Sequence, residues 1–147
     1  MRRLSIGLLA SFAALGACAQ SPATEMDPAD VTLYREASYE FTWQRDSCFC
    51  TPESLQPIRI RVVDDRITSA VFVADGQPVP EAIRGGLMTI AGVFELIVQA
   101  QAADQEVEAT FDTEQGYPTS VIFNRSQIPS DGGMELILSD VDLSEVK

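Results

Sequence analysis

"TIAGVFELIVQAQAA", Thr89–Ala103, is the long stretch of this chain in which apolar residues recur at helical spacing: Ile90, Val93, Phe94 and Ile97, with Gln101 continuing the row. Thr89 stands where a helix needs an N-cap, because its hydroxyl can accept a backbone N–H of the first turn. Gly92 weakens the segment by up to about 1 kcal/mol relative to alanine, while leaving room for a close approach to a sheet. A helix with one apolar face must bury that face against another layer. The flanking sequence has the period of strands, so this helix decides the fold class.

Upstream, "YEFTWQR" (Tyr39–Arg45) alternates Tyr39, Phe41 and Trp43 with polar residues, which puts three aromatic side chains on one face of a strand. "IRIRVVD" repeats the alternation through Ile58, Ile60 and Val62, and "ITSAVFVA" follows after Asp64, Asp65 and Arg66, a spacing that reads as a hairpin. "DGQPVPEAIRGG" (Asp75–Gly86) reads as a loop. Downstream, "EVEATFD", "TSVIFN" and "MELILSDV" read as three further strands, with "TEQGYP" and "SQIPSDGG" as turns. Before the first strand, "DVTLYREAS" suits a short helix with Asp30 as its N-cap.

Consecutive strands with short turns pair antiparallel, and one amphipathic helix covers one sheet face. The expected fold is α+β: a mainly antiparallel sheet of about six strands in the order βββ-α-βββ, the helix on one face, and a short N-terminal helix ahead of it. Three strands on each side of the helix hint at pseudo-symmetry, although no internal sequence repeat accompanies it.

The N-terminus carries an address. "MRRLSIGLLASFAALGACAQ" places Arg2 and Arg3 before an apolar run from Leu4 to Ala17 that is short for a transmembrane helix and reads as a signal peptide. Its end, "LGAC" (Leu15–Cys18), resembles the lipobox of bacterial lipoproteins, which implies lipidation of the Cys18 sulfur and cleavage before it. A plain secretory signal cleaved after Ala17 or Ala19 is the competing reading. Expected boundaries are 1–17 for the signal, 18–29 for a lipidated terminus and tether, "AQSPATEMDPAD" being rich in small, polar and proline residues, and 30–147 for a single domain. By resemblance to Gram-negative lipoproteins, Ala19 in place of a retaining aspartate implies the periplasmic face of the outer membrane.

The chain has 10 basic and 22 acidic residues, a net charge of −12; removing residues 1–17 costs Arg2 and Arg3 and gives −14. Such a surface repels phosphate backbones, which disfavours nucleic acid as a partner. No histidine occurs anywhere in the chain. Histidine triads, haem ligation by histidine and most catalytic zinc sites are thereby excluded. No glycine-rich phosphate loop precedes a helix. "DTEQG" (Asp112–Gly116) has the start of a calcium loop without its downstream bidentate glutamate, and is better read as a β-turn. The pairs Asp64/Asp65 and Asp140/Asp142 read as turn and surface residues. No catalytic residue, metal site or cofactor is expected.

With Cys18 lipidated, Cys48 and Cys50 in "RDSCFCTPE" are the remaining cysteines, in an oxidising compartment. In a continuing strand their Cα atoms would stand about 6.5–7 Å apart, at the limit for a disulfide, so a bond requires the chain to bend. Asp46, Ser47 and Pro52 favour such a bend. A structural disulfide is the leading reading; a labile redox disulfide, a soft-metal site for copper(I) and free thiols stay open.

The landmarks "YEFTWQR", "CFC" followed by Pro52 and Glu53, "IRIRV", "TIAGVFELI" and "GYPTS" (Gly116–Ser120) together resemble a bacterial family of small exported, often lipid-anchored domains, the domain of unknown function 6174, from about Tyr39 to Asp140. Ala91 stands where similar sequences carry an acidic residue, and "DGGMEL" replaces a more acidic turn. Both departures argue against cation binding. The resemblance implies a fold and an address without an activity. The expected function is a lipid-anchored cell-envelope protein, membrane-bound through its N-terminal lipid, acting as a non-catalytic binding or structural module with an envelope protein as partner. The alternative is thiol redox or copper(I) handling by Cys48 and Cys50.

Overall fold

A computed structural model describes residues 26–46, 50–125 and 133–143. Helix α1 (Pro28–Glu36) precedes strand β1 (Tyr39–Asp46); a 3-10 turn (Pro52–Leu55) leads to β2 (Ile58–Val63) and β3 (Arg66–Phe72). Two helices follow, α2 (Glu81–Arg84) and α3 (Ile90–Ala102), and then β4 (Val107–Phe111), β5 (Pro118–Phe123) and β6 (Met134–Asp142). The α+β order read from the sequence is the order observed. Two local details differ. Helix α1 starts at Pro28, because the Asp27 carboxylate, and not that of Asp30, accepts the Ala29 N–H at 2.8 Å. Proline at a first helical position loses no bond and already has the right φ. The expected loop Asp75–Gly86 contains the single-turn helix α2.

The six strands form one antiparallel sheet in the order β3-β2-β1-β6-β5-β4. Each run of three is a meander, and β1 joins them by pairing with β6. The chain therefore leaves one edge strand, β3, and must re-enter at the other, β4. Helix α3 makes that crossing: its 13 residues span about 20 Å, against about 24 Å for five strand spacings.

The alternation seen in the sequence puts Tyr39, Phe41, Trp43, Ile58, Ile60, Val62, Val121, Leu136 and Leu138 on the covered face, each buried to within 1%. They meet Ile90, Val93, Phe94 and Ile97 of α3. Tyr34 brings α1 into the same core, edge-on to Tyr39 at 5.3 Å between ring centroids. Its hydroxyl donates to the Gln115 carbonyl at 3.1 Å, tying α1 to the β4–β5 turn. Gly92 has Met88 and Thr89 beside it at ordinary contact distance, so the space it leaves faces its own helix start and not the sheet.

Asp64 and Asp65, at φ 49° and 54°, form the two-residue β2–β3 turn, both in the left-handed region that suits the twist of a tight hairpin. Aspartate tolerates that region better than most residues with a Cβ.

Candidate functional site

The cysteines singled out in the sequence fall largely outside the described residues: Cys18 and Cys48 both do, and only Cys50 is described, half-buried. Arg45, near the end of β1, turns its guanidinium to the inner side and donates to the Gly86 carbonyl at 2.6 Å. A Cβ on Gly86 would stand 2.6 Å from that nitrogen, so glycine is what lets the arginine reach the backbone. Pro52–Leu55 then lifts the chain from the cysteine segment into β2.

The "DTEQG" stretch is a turn, as its sequence reads. The Asp112 carboxylate accepts the N–H groups of Glu114 and Gln115 at 2.9 and 2.7 Å, and the Gly116 N–H closes on the Asp112 carbonyl at 3.0 Å. Gly116 has φ +71°, and a Cβ there would collide with the Asp30 carboxylate. Burial, reinforced by Asp27, raises the pKa of Asp30. Among the described residues, no three Asp, Glu or Cys side chains converge as a metal-binding group.

The surface of the described residues includes two concavities. One, of about 280 Å³, lies between α1 and α3 and is lined by Val31, Arg35, Phe94, Glu95, Val98 and Gln99. Its two charged groups are already paired, Arg35 with Glu95 at 2.5 Å. The other, of about 250 Å³, is on the uncovered sheet face and is lined by Glu40, Arg59, Arg61, Ser69 and Val71. There Glu40 pairs with both arginines, at 3.5 Å with Arg59 and 2.5 Å with Arg61.

What the fold does leave exposed is backbone. On the β3 edge, the Gln77–Val79 segment folds back: Phe72 N–H donates to Gln77 O at 2.9 Å, Val79 N–H to Ala70 O at 3.1 Å, and Pro78 bridges to Val71. Half of that edge is thus covered by a segment containing a proline, a common device against stray pairing. The β4 edge has no such cover among the described residues. Asn124 N–H donates to Glu106 O at 2.8 Å, and the ladder pairs Glu108 with Ile122 and Thr110 with Ser120. In an antiparallel ladder the intervening residues point their N–H and C=O the other way. Val107 and Ala109 therefore direct their backbone groups outward. The sequence showed that edges must exist; which strands formed them depended on the pairing of β1 with β6.

No helix among the described residues is long and apolar enough to cross a membrane. No curated protein and no solved structure matches the chain. The sequence pattern of a family of unknown function (DUF6174) matches residues 32–143, from α1 to just past β6, and the chain belongs to that family.

Proposed function

We propose that this chain is a lipid-anchored protein of the cell envelope, held by Cys18 on the periplasmic face of the outer membrane, and that its domain is a non-catalytic module that binds an envelope protein. The observation that carries the reading is the outward-facing backbone of β4 at Val107 and Ala109. A sheet edge binds by main-chain hydrogen bonds and needs no catalytic constellation. The lipobox-like "LGAC" supports the anchor, since acyl chains contribute about 0.8 kcal/mol per buried methylene.

Crosslinking in cells should recover the same protein repeatedly from the anchored chain and lose it from a Cys18→Ser chain. Equal recovery from both, or none from either, sinks the proposal.

A second reading uses Cys48 and Cys50 for thiol redox or copper(I) chemistry. Two cysteines one residue apart in an oxidising compartment support a Cys48–Cys50 disulfide, and a bridge over so short a loop is expected to be easier to reduce than a long-range one. A reduction potential below about −300 mV without copper(I) binding would remove this reading and leave a structural bridge.

A further inference from the structure

We infer that the β4 edge takes up an extended, basic segment of a partner protein as a seventh strand, lying antiparallel or parallel to Val107–Phe111. This rests on the binding-module reading above and gives its partner a chemistry.

Two independent observations converge on it. The first is the ladder, uncovered among the described residues: Val107 and Ala109 direct N–H and C=O groups outward, whereas the opposite edge is half closed by Gln77–Val79. The second is charge. From Asp104 to Glu114 the chain places five acidic residues (Asp104, Glu106, Glu108, Asp112 and Glu114) and no basic one. Arg125 faces Glu108 at 3.0 Å, which offsets one of the five.

That field selects the occupant. A second copy of this chain pairing β4 to β4 about Ala109 would bring both acidic stretches together, and like charges across a ladder are destabilising. A strand bearing lysine or arginine on alternate positions meets the opposite situation. Its remaining side chains would fall on the helix side of the sheet, where Val107 and Phe111 are only half-buried and Phe111 stacks on Phe94 at 6.0 Å. Alternating basic and apolar residues is therefore the pattern the edge fits.

The test uses the full chain in non-ionic micelles and a capped peptide of four Lys-Val repeats, with a Glu-Val peptide as control. Saturating Lys-Val peptide should slow amide exchange at Val107 and Ala109 by about tenfold or more, an effect that weakens as salt is raised. The Glu-Val peptide should leave these amides unchanged. Unchanged exchange with Lys-Val, equal slowing by both peptides, slowing confined to β3, or amides already protected without peptide would each overturn the inference.

Ala109→Pro removes the outward N–H while Glu108 and Thr110 keep their bonds to β5, and should abolish the effect. If that variant does not fold, Glu106→Lys with Glu114→Lys brings the stretch, with Arg125, close to neutral and should abolish the preference for Lys-Val over Glu-Val, and a retained preference for Lys-Val refutes the charge argument. A crosslinked partner in cells whose contacts lie away from β4 would end this inference and leave the anchored-module reading standing. Absence of any partner would end that reading while the peptide experiment still decides the edge.

Discussion

The hydroxyl of Tyr39, on the first strand, accepts a hydrogen bond from the backbone N–H of Ile90, the first residue of α3, at 3.0 Å within the core. Thr89 satisfies a second N–H of the same helix start by accepting from Gly92 at 3.1 Å, and donates its own proton to Asp65 of the β2–β3 turn at 2.8 Å. Helix starts carry N–H groups without intrahelical partners. Here two of them are met by groups from the sheet and the cap, so hydrogen bonds as well as packing fix the position of α3.

Tyr39→Phe should keep the ring packing and leave the Ile90 N–H without its buried acceptor. The expected loss is about 1–2 kcal/mol in chemical denaturation, with an unchanged m-value. A loss below about 0.3 kcal/mol would mean that the contact carries no weight.

Alkaline pH should destabilise the fold. Burial pushes the hydroxyls of Tyr34, Tyr39 and Tyr117 above the ordinary value of 10.0, with nearby carboxylates adding to the effect. The unfolded chain thus releases these protons first. Their contribution is intact below about pH 10 and is lost as pH rises above it. The chain has no histidine and its single lysine is Lys147, so few other internal groups titrate nearby. Denaturation midpoints should be flat from about pH 6 to 9 and fall beyond 10, and the fall should be shallower in Tyr39→Phe.

Asp104→Gly should stabilise the protein. Gln105 N–H bonds to Ala100 O at 2.9 Å and Asp104 N–H to Gln101 O at 3.2 Å, the pattern of a helix end closed by a left-handed residue. Asp104 supplies that residue at φ 53° and adds a negative charge where the helix dipole is already negative. Glycine removes both costs, for a gain of about 1 kcal/mol in denaturant titration. No gain would show that the aspartate side chain compensates by local bonding.

Gly116→Ala should be among the costly surface substitutions. It demands a left-handed alanine at φ +71° and displaces the Asp30 carboxylate. A loss of about 2–3 kcal/mol is expected. Combining it with Asp30→Ala should recover the steric part and leave the backbone part, a non-additivity that a double-mutant cycle measures.

The sequence by itself determined the order and type of the main elements. Alternation in "YEFTWQR" and "IRIRVVD" and the helical spacing of "TIAGVFELI" are local patterns, and each names the side that must be buried. It also carried the Thr89 cap and the "DTEQG" turn, whose partners lie within a few residues. It misplaced the cap of α1, because Asp27 and Asp30 both suit the role and only the register of α1, with Tyr34 directed into the core, separates them.

The tertiary structure decided the rest. Alternation sets which face of a strand is covered and says nothing about which strand lies beside it. Pairing β1 with β6, about ninety residues apart in the chain, left β3 and β4 as edges and brought Tyr39 beneath the start of α3. The candidate binding edge was invisible in the sequence for that reason: an outward backbone group is defined by the neighbour it lacks.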